Sequence, residues 1–208
     1  LVTDSAKGIV FNQQIEHPVI GGTDYPTPVM GRVFGCNNYN GTPTGEVTVH
    51  VYSTRQIKKD TEGEILPGHG STDRKFSYEI QSVYGGGNQA DYLPATGKKS
   101  HVIIEGCEET SIEKVYGGCN SAVISETDVL IKGCYDIGYA FGGGNGGRPI
   151  KKEDGSWHEN EGAIVIGTAR IECQGGKIGQ VFGGGDSKGS CGNTAPVIPA
   201  EGTGTCPY

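Results

Sequence analysis

Long apolar runs are missing from this chain of 208 residues. Nothing approaches the roughly 18 consecutive apolar residues of a membrane-crossing helix, so no such span is expected. Clustered positive charge is missing too. The 17 Lys and Arg are outnumbered by 24 Asp and Glu, giving a net charge of −7. The basic residues are scattered apart from short pairs such as Lys58-Lys59, Lys98-Lys99 and Lys151-Lys152. No basic face is available to neutralise a phosphate backbone, which argues against nucleic acid as a partner. The five histidines, His17, His50, His69, His101 and His158, share no metal-ligand spacing, so neither metal nor cofactor is expected. Residues from Leu1 onward lack the charged and apolar regions of an export signal; the expectation is that a signal was removed or never present. Helical periodicity is nearly absent, and aromatic residues make up only 8% of the chain. Such a core is too thin for a large globule and adequate for a narrow, layered one.

What the chain has in excess is glycine, 37 residues, far above the usual share of about 7%. The excess falls in loops and in a recurring box: an aliphatic residue, an aromatic, a glycine run, then Asn or Asp. The boxes are Val33-Phe34-Gly35-Cys36-Asn37, Val83-Tyr84-Gly85-Gly86-Gly87-Asn88, Val115-Tyr116-Gly117-Gly118-Cys119-Asn120, Ala140-Phe141-Gly142-Gly143-Gly144-Asn145 and Val181-Phe182-Gly183-Gly184-Gly185-Asp186. They start 50, 32, 25 and 41 residues apart, so 25 reads as the bare repeat and the excess as inserted loop. The first copy reads as one glycine short. Repetition of this kind points to stacked units. No Lys-Ser/Thr follows the glycines, so a phosphate-cradling loop is not indicated, and the nine-residue period of calcium-binding repeats is absent.

Between the boxes lie short β-branched runs. Glu46–Tyr52 alternates valine with polar residues, the pattern of a half-buried strand. Val102-Ile103-Ile104, Val129-Leu130-Ile131, Ile164-Val165-Ile166 and Ala169-Arg170-Ile171 read the same way. Isoleucine stands three residues ahead of each later box, at Ile80, Ile112, Ile137 and Ile178. That odd spacing would put isoleucine and box aliphatic on opposite faces of one straight strand; a bend into two adjoining strands would let both point inward. The box glycines and terminal Asn are expected at a sharp corner needing positive φ, with Asn88, Asn120, Asn145 and Asp186 stacked as a turn ladder and glycine also allowing close approach of neighbours.

These features predict an all-β fold, a single-stranded right-handed parallel β-helix of about five or six coils at the usual strand spacing, with a β-sandwich as the alternative. One domain is expected: residues 1–32 as an N-terminal cap holding the extended pieces Ile9-Val10-Phe11 and Pro18-Val19-Ile20, residues 33–186 as repeat coils, and 187–208 as a Cys/Pro/Gly-rich tail. Of the 7 cysteines, Cys107, Cys134 and Cys173 sit at similar distances ahead of boxes and suit a ladder of packed thiols, a disulfide or metal site being the alternative. Cys191 and Cys206 flank the tail, which a disulfide between them could tie down.

The Val-Tyr/Phe-Gly-Gly-Gly-Asn box, with its preceding isoleucine and following β-rich run, resembles the glycine-rich repeat regions of large secreted or surface proteins of gut Bacteroidetes. The layout is similar to right-handed β-helices of the pectate-lyase-like superfold. The resemblance covers residues 33–186 and implies export and display at the cell surface, without implying any activity. Polysaccharide lyases and hydrolases on such helices need clustered carboxylates. Here Glu105, Asp128, Asp136 and Glu172 occupy different phases of the repeat, so no acid and base pair is read and the balance is against catalysis. Segments 38–45, 89–99 and 146–162 leave the stack just after a box and should emerge along one edge, the face on which repeat proteins commonly bind. They carry the candidate binding residues Tyr39, Tyr92, Arg148, Lys151, Trp157 and His158, whose aromatics could stack on sugars or anchor a protein; Trp157 could equally cover a thin place in the core. Segment 54–75 reads as a surface excursion. The expected function is a non-catalytic exported module for display, adhesion or binding of a cell-surface glycan or protein. Its alternatives are a carbohydrate-active enzyme and a structural stalk or spacer.

Overall fold

The computed structural model describes residues 31–54, 59–70, 78–146 and 162–198 in full, and the backbone alone of strand residues 2–4, 8–11, 19–20, 23–24, 150–151 and 157–158. Among these residues there is no helix. The strands in chain order are β1 Val2–Asp4, β2 Gly8–Phe11, β3 Val19–Ile20, β4 Thr23–Asp24, β5 Arg32–Phe34, β6 Val47–Val51, β7 Ile80–Tyr84, β8 Ser100–Ile104 and β9 Ser111–Tyr116. They continue with β10 Val123–Ile124, β11 Thr127–Ile131, β12 Asp136–Phe141, β13 Ile150–Lys151, β14 Trp157–His158, β15 Ile164–Cys173, β16 Ile178–Phe182 and β17 Ser190–Val197.

Two sheets hold most of them. The first runs β1-β2-β6-β8-β11-β15-β10, with β17 also on β15; the second runs β16-β12-β9-β7-β5. Every pairing within them is parallel except β1 on β2. From β5 onward the chain passes back and forth between the sheets, with β10 and β11 both in the first and the β13–β14 hairpin outside them, and neighbouring strands of the second sheet come from successive boxes. The protein is all-β and built from parallel sheets. The sheet continues beyond the expected limit of the repeat at 186, because β17 pairs with β15 inside the segment read as tail.

The register explains the core. In the first sheet Val49, Val102, Val129 and Ile171 stand side by side, with Val51, Ile104, Ile131 and Cys173 two residues on. In the second, Ile80, Ile112, Ile137 and Ile178 form one file and Val83, Val115, Ala140 and Val181 another. These files meet in one hydrophobic cluster between the sheets. Each fully buried Val or Ile contributes roughly 1.5–3 kcal/mol relative to exposure, and β-branched side chains fit the pleat at little rotamer cost.

Isoleucine and box aliphatic both point inward, as expected, but from a single strand rather than two. The pairing skips Gln81, Glu113, Gly138 and Gly179, and the N–H groups of Gln81 and Ser82 both donate to Gly31 O at 3.1 and 3.3 Å. One irregular residue per strand shifts the alternation, as in a bulge.

The box glycines also differ from expectation. None has positive φ; the described residues that do are other glycines, such as Gly41 and Gly146, and Ser187 (φ 41). Space is the constraint instead. A Cβ on Gly118 would stand 2.9 Å from Gly144 N and 3.0 Å from its Cα; one on Gly143 would be 2.9 Å from Gly185 N. Successive boxes approach so closely that no side chain fits between their backbones. Their corners are bonded box to box, Gly86 N–H to Gly118 O, Gly118 N–H to Gly143 O and Gly143 N–H to Gly184 O. The same pattern joins Cys36 N–H to Gly86 O and Asn88 N–H to Asn37 O. Asn37 therefore holds the third glycine position and Asn38 the terminal Asn position, so the first box is full length rather than short.

The cysteines divide unlike the expected ladder. Cys134 and Cys173 are buried thiols in the main cluster, their pKa values pushed up to about 12 and about 11, mainly by burial. Cys107, expected beside them, is disulfide-bonded. Cys191 is a free thiol, packed with Cys36 against the small cluster that contains Cys119, so the disulfide that could have tied it to Cys206 is not formed.

Candidate functional site

One corner of the stack carries two parallel files. The rings of Phe34, Tyr84, Tyr116, Phe141 and Phe182 are stacked in order, with centroids 4.7, 4.7, 5.0 and 5.0 Å apart and planes within 12°. Beside them runs the amide file: Asn145 Nδ2 donates to Asn120 Oδ1 at 2.8 Å, Asn120 Nδ2 to Asn88 Oδ1 at 2.7 Å and Asn88 Nδ2 to Asn38 Oδ1 at 2.8 Å. The files are joined by Tyr84 Oη, which donates to Asn120 Oδ1 (3.4 Å), while Tyr116 Oη lies 3.3 Å from Asn145 Oδ1. The expected turn ladder thus includes Asn88, Asn120 and Asn145, with Asn38 as the member the sequence reading missed. Asp186 has no amide to donate. Its Oδ2 accepts from Tyr116 Oη at 3.0 Å and from Lys114 Nζ at 3.2 Å. Burial pushes the Asp186 carboxyl up, but Tyr116, the Ser187 N–H and Lys114 together hold it below its ordinary range. This corner is structural: its polar groups are satisfied within the files.

The loops after the boxes run side by side along one edge. Asn88 N–H and Gln89 N–H donate to Asn37 O and Asn38 O, Asn120 N–H and Ser121 N–H to Gly87 O and Asn88 O. Leu93 N–H reaches Thr42 Oγ1 at 3.2 Å. Of the candidate binding residues, Tyr39 stands on this edge, 59% exposed. Tyr92 does not line it. Its side chain is fully buried, in the cluster with Val47, Cys119 and Ile124, with Oη donating to Gly45 O at 2.5 Å. The loop around it forms a bridge to Ile124, which places residue 92 on the inward side, and burial pushes its hydroxyl up to about 12. Lys151 and Trp157 are register partners in the antiparallel hairpin β13–β14, as are Ile150 and His158. Their side chains, and Arg148 altogether, lie outside the described residues.

Sequence reasoning missed the outer face of the first sheet, which begins where these loops end. Register aligns Thr48, His101, Asp128 and Arg170 in one row and His50, Ile103, Leu130 and Glu172 in the next. Asp128 Oδ1 accepts from Arg170 Nη1 at 2.7 Å, while its Oδ2 lies 3.4 Å from His101 Nδ1 and 3.7 Å from Lys99 Nζ. His101 Nε2 is 3.6 Å from Glu46 Oε1. Arg170 also binds Glu172, which accepts from Gln174 Nε2 at 2.8 Å. Below, Glu105 takes Lys132 Nζ at 2.6 Å and lies 3.3 Å from His50 Nε2, a solvent-shielded nitrogen off the line of a hydrogen bond. Glu105, Asp128 and Glu172, assigned to different phases from sequence, therefore share one face; Asp136 begins β12 in the other sheet. The signal was the period-two alternation inside each strand, which fixes the face without needing equal distance to the box.

Neither Glu105 nor Glu172 on this face suits the role of general acid. A general acid at neutral pH needs a raised carboxyl pKa. Lys132, against the opposing effect of burial, holds Glu105 below its usual range, and Gln174 with Arg170 does so for Glu172. Among the described residues no group of three or more His, Cys, Asp or Glu is placed to hold a metal ion, and no helix is long and apolar enough to cross a membrane. Comparisons with protein-family models, curated proteins and solved structures return no match.

Proposed function

We propose that this chain is an exported, non-catalytic module, wound as a right-handed parallel β-helix, that binds a cell-surface glycan or protein through the loops on one edge. The observation that carries the reading is the side-by-side course of segments 38–45, 89–99 and 120–125, which carry the exposed Tyr39 and lead into strands whose outer face is rich in paired donors and acceptors. The repeated passage of the chain between two parallel sheets supports the winding, and right-handedness follows the strong general preference of parallel crossovers. The disulfide at Cys107 supports an oxidising, extracellular location. Carboxylates held ionised by neighbouring cations favour recognition over hydrolysis.

The test is a glycan array and a pull-down from surface extracts with the intact chain, the Tyr39→Ala variant and the Trp157→Ala variant. Binding that falls at least several-fold in either variant, with unchanged circular dichroism, supports the proposal. No binding by the intact chain returns the reading to a stalk or spacer, and shortened products from an acidic polysaccharide return it to a carbohydrate-active enzyme.

A further inference from the structure

We infer that the Asn40-Gly41 peptide is a site of spontaneous succinimide formation, a covalent change that adds negative charge to the loop edge beside Tyr39. In this reaction the deprotonated Gly41 nitrogen attacks Asn40 Cγ; a C–N bond forms and the side-chain nitrogen leaves as ammonia. Water then opens the ring, in which the Gly41 nitrogen is bonded to both carbonyls: cleavage of its bond to Cγ gives Asp, and cleavage of its bond to the backbone carbonyl gives isoaspartate. Solvent water is the sole co-reactant. Ring closure is fastest where the following residue has no Cβ to obstruct it, and only glycine lacks one.

The chain contains two Asn-Gly pairs, at Asn40-Gly41 and Asn145-Gly146, and the fold treats them oppositely. Asn40 and Gly41 are both exposed. Among the described residues neither the Asn40 side chain nor the Gly41 N–H has a hydrogen-bond partner, so both reacting atoms are free to move together. Asn37 Nδ2 donates to Asn40 O at 2.8 Å. That carbonyl belongs to the same peptide unit as the Gly41 N–H, and a donor on it draws electron density away and makes the N–H more acidic. Asn37 is thus a positioning and polarising residue. At the second pair the Asn145 amide is locked in the file, donating to Asn120 with its oxygen packed 3.3 Å from Tyr116 Oη. Gly146 is packed against the backbone of Lys188 and Gly189 and is itself engaged. Ring closure there would require unfolding the corner.

The inference does not rest on the binding proposal, and its test has its own readout. The folded chain is incubated at mildly alkaline pH and physiological temperature, then digested and mapped by mass spectrometry, with isoaspartate labelled by an isoaspartyl methyltransferase. Expected are released ammonia and a mixture of Asp and isoaspartate at residue 40, with residue 145 unchanged until the chain is incubated in denaturant. Gly41→Ala should slow the change at residue 40 by an order of magnitude, and Asn37→Ala by several-fold with circular dichroism unchanged. An intact Asn40 after long incubation, or equal rates at 40 and 145 in the folded chain, overturns the inference. Equal rates in the intact chain and Asn37→Ala remove the role given to Asn37.

Discussion

The fourth and fifth boxes differ by little in sequence and by much in environment. Phe141, fourth in the aromatic file, is 4% exposed; Phe182, fifth, is 41% exposed. Ile137 and Ala140 are fully buried, whereas Ile178 and Val181 only pack partly against the core. A Cβ on Gly143 would collide with backbone, but on the equivalent Gly184 its nearest neighbour would be Cys191 Sγ at 3.6 Å. The box motif itself is therefore not what stabilises the stack. Each box gains from the next one lying over it, the nearest-neighbour behaviour of repeat architectures, and among the described residues the fifth has no sixth above it in the second sheet.

The largest expected contrast is in the aromatic file. Tyr116→Ala should destabilise the fold by about 3–5 kcal/mol, as for a buried aromatic, against about 1–2 kcal/mol for Phe182→Ala, which is half solvated already. Urea titrations of the two variants measure this, and equal losses would erase the distinction between middle and end. Next comes the second glycine of the box. Gly118→Ala should cost about 1–3 kcal/mol through forced backbone displacement, while Gly184→Ala should be neutral or stabilise by up to about 1 kcal/mol by restricting the unfolded chain. Melting temperatures moving in opposite directions are the sign to look for.

The smallest effect is the order of acid steps. Burial, partly opposed by Glu105, holds His50 below 6.5, so as pH falls through 6.5 the unfolded chain takes up a proton that the native state resists, and stability declines first there. Glu105 and Glu172, depressed from 4.5, and Asp186, depressed from 3.8, give stabilisation that is complete above those values and is lost as pH falls toward their folded-state values. In a pH series of melting temperatures, His50→Gln should remove the early decline from the middle of the stack. Asp186→Asn should remove part of the late one at its end. A single acid step common to all three proteins would contradict this assignment.

Much of the fold is legible in the residues. Valine alternation in β6 and the isoleucine file before the boxes predict both inner faces, and the recurrence of Tyr or Phe predicts the stacked rings. Other features depend on distances between repeats, which sequence does not state. Positive φ and close approach select the same residue, glycine, and the boxes use the second. Tyr92 reads as a loop aromatic because the residues around it are polar, yet the bridge to Ile124 turns it inward. Glu105, Asp128 and Glu172 were separated by counting from the boxes, whereas the face they occupy is set by the parity of each strand. Asn38 escaped notice because Asn37 stands one place before it and satisfies the same pattern.

The amide file has one further implication. Each asparagine from 88 to 145 gives its donor to the rung below, and the acceptors at 88 and 120 face the rung above, so every dipole points the same way. Reversing one amide would set oxygen against oxygen on one side and nitrogen against nitrogen on the other. The column thus acts as a one-way key that admits the chain in a single alignment and rejects a slip by one residue, which would offer Gly87, Cys119 and Gly144 in its place.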